Sequence, residues 1–110
     1  MPKGAFLGEF ELLVSLAVER LRDDAYGAAI QREMERRADR SAALGAVYAT
    51  LVRLEEKKVL RAFAGAPTGE RGGRARRCYA LTLRGRAAVV RSHGALARMM
   101  DGLESGLGVV

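Results

Sequence analysis

Gly65, Pro67, Gly69, Gly72 and Gly73 fall within nine positions of a chain that otherwise reads as helix. No helix runs through such a stretch. The 110 residues therefore divide into a helical front, a loop and one further helix. Short runs of strand type stand on both sides of the break, at residues 59–63 and 75–81, and make a β-hairpin with a loop of about ten residues. Alternation along the second run puts Arg77, Tyr79 and Leu81 on one face and Arg76, Cys78 and Ala80 on the other, with Tyr79 and Leu81 as the inward pair.

Three helices are expected before the hairpin. The first spans residues 8–21, with Phe10, Leu13, Val14, Ala17 and Leu21 at helical spacing toward a core. Leu12 and Leu16 form a second apolar face, which is either a partner surface or ordinary surface scatter. Asp23 or Asp24 caps the second helix, residues 25–38, whose apolar face is Tyr26, Ile30 and Met34. Gly27 inside it costs up to about 1 kcal/mol relative to Ala, and close packing against a neighbouring helix would account for it. Arg36, Arg37 and Arg40 complement the dipole at its end.

The third helix, residues 44–58, carries Val47, Leu51 and Leu54 at i, i+4 and i+7. Tyr48, Thr50, Arg53 and Lys57 are expected to point away from that stripe, and Gly45, Ala46 and Ala49 keep the start slim. A helix with small residues and one aromatic near its start brings its backbone close to a large flat partner. Its free first-turn N–H groups suit phosphate. An ordinary amphipathic surface helix has the same spacing, and the charge distribution separates the two readings. Residues 1–58 are neutral overall, as are residues 87–110. Residues 59–86 hold seven arginines against Glu70 alone, so the chain's whole excess of +6 lies directly after the third helix. That is an electrostatic footprint for a polyanion, carried by Arg71, Arg74, Arg76 and Arg77 of the hairpin with Arg53 and Lys57 beside them.

Thr82 fits the N-cap of a last helix over residues 83–103, about 30 Å long. Val89, His93, Leu96, Met100, Leu103 and Leu107 are spaced 4, 3, 4, 3, 4, a heptad seam suited to pairing with a second copy; core packing within one chain is the alternative. Gly102, Gly106 and Gly108 fray its end. The chain then divides into residues 1–82, which bear the charge, and residues 83–110, which pair.

Other classes are disfavoured. No apolar run reaches about 18 residues, so no membrane span is expected, and the start lacks a secretory signal. A single cysteine, Cys78, fits the cytosol. The only histidine, His93, sits in the seam. No metal-ligand spacing or phosphate-cradling glycine loop appears, so neither catalysis nor a cofactor is expected.

A helix-turn-helix followed by a basic hairpin is a winged helix-turn-helix, mainly α with a small β-hairpin. LGEFELLVSLAVERL, DAYGAAI, LGAVYATLVRLEEKKVL and ERGGRARRCYALTLRGR, in this order over residues 7–86, resemble the PadR family of transcriptional regulators. The short C-terminus is similar to that of members with a single terminal helix. The resemblance implies a homodimeric repressor on palindromic double-stranded DNA. Residues 44–58 become the recognition helix, with Leu44, Gly45, Tyr48 and Thr50 at the DNA, and ERGGRARR the wing. Leu12 and Leu16 of the first helix join the C-terminal seam as the dimer interface. It also implies a possible small aromatic effector. Two positions depart from the family pattern. Ala43 stands where a capping Ser is common, and Lys58 where a Gly ends the helix, so a left-handed backbone at Lys58 would be strained. A winged helix that binds protein instead of DNA is the alternative.

Overall fold

The computed structural model describes residues 6–67 and 75–108. Its elements are α1 (Glu9–Leu21), a single 3-10 turn (Arg22–Asp24), α2 (Gly27–Ala38), α3 (Leu44–Glu56), β1 (Leu60–Pro67), β2 (Ala75–Leu81) and α4 (Leu83–Met100). This is a mainly helical winged-helix fold with an antiparallel hairpin.

Helix α1 lies at the centre and packs against α2, α3, β2 and α4. A helix covered from several sides buries more than one stripe. That corrects the placing of Leu12, which is buried in the core and faces no partner, whereas Leu16 stays exposed. Val14, Ala17 and Val18 meet Ile30, Val47, Leu51 and Leu54 in the same cluster. Gly8 caps α1, and its amide donates to Glu11 Oε1 at 3.2 Å.

Helix α2 starts two residues later than expected, and neither Asp23 nor Asp24 caps it. Ala25 and Tyr26 serve the hairpin instead. The Tyr79 amide donates to the Ala25 carbonyl at 3.0 Å, and Tyr26 bridges to Cys78. Gly27 is explained by contact: a Cβ there would lie 2.5 Å from the Tyr48 ring. Helix α3 has Ala43 at its N-cap with no side-chain cap, and it stops at Glu56. Lys58 follows at φ 66, the left-handed backbone that its sequence position implied.

Strand β1 runs further than expected, taking Gly65 and Pro67 out of the loop. Its register pairs Leu60 with Leu81 and Ala64 with Arg77, then shifts before Pro67 pairs with Ala75. Tyr79 and Leu81 face the core as expected. Cys78, on the opposite face, is buried too, because Gly65 and the Ala25–Tyr26 segment cover it.

Thr82 caps α4: its Oγ1 accepts from the Gly85 amide at 2.9 Å and donates to the Lys58 carbonyl at 2.6 Å. A Cβ at Gly85 would fall 2.1 Å from the Val59 carbonyl oxygen, so α4 docks directly on backbone. Ser92 Oγ accepts from the Leu7 amide and donates to the Ala88 carbonyl. The helix ends at Met100, so Leu103 lies in the turns that follow, and Gly102 and Gly108 take positive φ. Of the expected seam, only Val89 is taken up by its own core and Met100 is half-buried, while His93, Leu96, Leu103 and Leu107 are exposed, as are Val90 and Met99.

Candidate nucleic-acid interface

The two ends of α3 are built differently. Its start is open. Leu44, Gly45, Ala46, Tyr48 and Ala49 are exposed, and a Cβ at Gly45 would meet nothing within 4 Å. Tyr48 is 46 % exposed, its ring resting on Gly27 of α2. The phenolic end of the ring is the part that lies against Gly27, and this packing holds the half-exposed aromatic in place at the surface. Thr50 is a correction. It lies 2 % exposed, three residues after Val47 on the inward side, and its Oγ1 accepts from Arg53 at 3.3 Å. A buried hydroxyl of this kind reaches no base.

The far end is tied down. Arg53 Nε and Lys57 Nζ both donate to Glu11 Oε2 of α1, at 3.2 and 2.9 Å. Burial alone would raise the Glu11 pKa. The hydrogen bonds from Lys57, the Gly8 amide and Arg53 outweigh it and hold the carboxyl below its ordinary range. Arg77 of β2 reaches Glu55 with a forked pair of hydrogen bonds at 3.1 Å and donates to the Tyr79 hydroxyl at 3.2 Å. Arg53, Lys57 and Arg77, expected as phosphate contacts, are thus engaged with carboxylates that fasten α3 to α1 and to the hairpin. Arg86 is likewise paired, with Glu19.

Arg76 differs. Its guanidinium stacks on Tyr26, 4.2 Å from the ring centroid, and no carboxylate pairs with it among the described residues. Arg32 of α2 approaches the same tyrosine and donates to its hydroxyl at 3.0 Å. By spacing alone Tyr26 belongs to the apolar face of α2, and Arg32 is one outward arginine among several. The signal that could have drawn attention to them is an outward arginine one and a half turns from an aromatic at a helix start. Arg71 and Arg74 lie outside the described residues.

The remaining chemistry is sparse. Burial pushes the Cys78 thiol up, with Asp24 adding to the effect, so the sulfur stays protonated and is a poor nucleophile. Among the described residues no cluster of metal-ligating side chains occurs, and no helix is long and apolar enough to cross a membrane. An apolar groove of about 330 Å³ runs between α1 and α2, floored by Leu13, Leu16, Ala17 and Met34.

Residues 16–91 match the family described as "Transcriptional regulator PadR-like family". Among solved structures, a PadR-like transcriptional regulator from Bacillus cereus superposes with a TM-score of 0.71 at 15 % identity, covering 89 % of this chain and 90 % of that one. A PadR family regulator from Clostridium difficile gives 0.67 at 22 % identity, over 91 % and 98 %. One from Eggerthella lenta gives 0.66 at 23 %, over 90 % and 86 %. No protein of curated function matches the sequence.

Proposed function

The chain belongs to the PadR-like family of transcriptional regulators, and from that premise we propose that it is a cytoplasmic repressor that binds a palindromic operator as a homodimer. Residues 1–82 bind DNA and residues 83–110 pair the protomers. The start of α3 enters the major groove, with Leu44, Gly45 and Tyr48 nearest the bases. Arg71, Arg74 and Arg76 of the hairpin meet the backbone. Arg53, Lys57 and Arg77 hold α3 at its angle. The observation that carries this reading is the open start of α3: small residues and a half-exposed tyrosine on a helix whose other end is fixed by ion pairs to two neighbouring elements.

Pairing uses the exposed side of α4 together with Leu16 and the groove behind it. With two such protomers, the α3 helices face successive major grooves about 10 base pairs apart. A small aromatic compound seated in the apolar groove would release DNA by altering how the protomers pack. Selection of bound fragments from the source genome at two salt concentrations tests the central reading. Enrichment of inverted half-sites about one helical turn apart, weakened by salt, supports it. Recovery of no fragment above background at either salt contradicts it and favours a protein-binding winged helix.

A further inference from the structure

We propose that Tyr26, Arg32 and Arg76 form a phosphodiester clamp at the joint between α2 and the hairpin, a second backbone grip separate from the α3 contacts. The inference rests on the DNA-binding reading and adds to it a site that joins two elements.

The geometry begins with the strand-like pairing of Ala25 and Tyr26 along β2. That pairing places the Tyr26 ring on the β2 face shared by Arg76 and Cys78. Arg76 stacks on the ring at 4.2 Å from its centroid, where the attraction of a cation for the π face holds the guanidinium in one place. Arg32, one and a half turns into α2, donates to the phenolic oxygen at 3.0 Å. Two guanidinium groups are therefore held around one side chain, and among the described residues neither has a carboxylate partner.

The hydrogen-bond count leaves exposed donors that an anion can take up in place of water. A phenol has one proton and can also accept. Tyr26 accepts from Arg32, and no acceptor for its own proton appears among the described hydrogen bonds. The remaining N–H groups of both guanidiniums also lack acceptors there. Among the described residues three solvent-facing donor groups meet with no protein acceptor between them, while Arg53 and Arg77 at the other end of α3 have carboxylates. A phosphodiester supplies both the missing charge and the missing acceptors.

Position makes the backbone the fitting source of that phosphate. Tyr26 directly precedes Gly27, on which the Tyr48 ring lies, so the clamp adjoins the open start of α3. A strand whose bases meet Tyr48 passes its phosphates over this joint. The clamp would then fix the hairpin relative to α2, so that the wing and the recognition helix engage one duplex in a set register.

Fluorescence anisotropy on a mixed-sequence duplex of about three helical turns tests the clamp, with affinity measured across a salt series. Arg32→Gln and Arg76→Gln each weaken binding roughly ten-fold, and the double variant, which leaves the shared phosphate without a cation, makes the log–log salt slope shallower by about 0.9. Tyr26→Phe weakens binding a few-fold and leaves the slope alone, because it removes a donor and no charge. Because both arginines serve one phosphate, the double variant loses less than the product of the single losses. Melting temperatures close to wild type separate these effects from misfolding, and Tyr26→Phe keeps the ring in place in any case. A wild-type slope in the double variant, or losses that simply multiply, overturn the clamp while leaving DNA binding intact. A wild-type protein that ignores the duplex at low salt overturns the DNA-binding reading itself and the clamp with it.

Discussion

One end of α3 is a fastening and the other is open and, on the proposed reading, a working surface, although both carry polar residues at helical spacing. At the far end, Arg53 and Lys57 converge on one nearly buried carboxylate, Glu11, and Arg77 is forked onto Glu55. At the near end, Tyr48 rests half-exposed on Gly27, and Arg32 and Arg76, gathered around the neighbouring Tyr26, have an aromatic ring for company and no ion-paired acid among the described residues. Net charge alone does not distinguish these cations. A carboxylate that already neutralises a guanidinium must be displaced before a phosphate can take its place, whereas an unpaired guanidinium gains a partner outright. On the proposed DNA-binding reading, the site is therefore set by where the acids are, as much as by where the arginines are.

The contrast can be broken most forcefully at the fastening. Glu11→Ala removes the acceptor of three hydrogen bonds and strands two cations. It should lower stability by about 2 kcal/mol, a value held down by the half-exposure of Arg53 and Lys57. The midpoint of thermal unfolding at neutral pH should fall by about 10 °C. The Glu11 carboxyl has a lowered pKa in the folded state, so its stabilisation is complete above the unfolded carboxylate range and is lost as pH falls through the folded value. The gap between wild-type and Glu11→Gln melting temperatures should therefore close on acidification. A gap that is constant with pH would mean that Glu11 acts by packing alone.

At the working end, Gly27→Ala places a methyl inside the Tyr48 ring. It should cost about 1–2 kcal/mol and also erode operator preference, since the ring must move. Tyr48→Ala is expected to leave stability nearly unchanged and to reduce the ratio of operator to non-specific affinity about ten-fold, as read by competition binding. Equal losses on both kinds of DNA would assign Tyr48 to backbone positioning. The smallest effect belongs to Arg77→Gln. Its exposed pair with Glu55 should contribute under about 1 kcal/mol, and the salt slope of DNA binding should not change.

Much of this fold is legible in local sequence. The i, i+4, i+7 stripe of Val47, Leu51 and Leu54, the cluster of glycines after β1 and the cap at Thr82 are each set by neighbours within a turn or two, and the structure has helix, hairpin and helix in those places. What is not legible depends on distant partners. Glu11 lies 42 and 46 residues from Arg53 and Lys57, so nothing in the local pattern says that those cations are occupied. Leu12 reads as surface until four elements are packed around α1. Thr50 reads as outward because polar residues usually are, yet its hydroxyl is served by Arg53. Tyr26 reads as core by its spacing from Ile30, and only the pairing of its backbone with β2 turns its ring toward Arg76. The loss of Val89 from the seam on α4 has the same origin. The first half of the helix is committed to its own domain through Gly85, Ala88 and Val89, which leaves Val90 and Met99 facing out.

The difference between the two ends of α3 is tested most directly by titrating a selected operator duplex into uniformly labelled protein and following backbone amides and arginine side chains by NMR. The largest shifts are expected at residues 44–49, at Tyr26 and at the Arg32 and Arg76 guanidiniums, with those of Arg53 and Arg77 nearly still. Shifts concentrated at Arg53, Lys57 and Arg77, with the start of α3 silent, would contradict it.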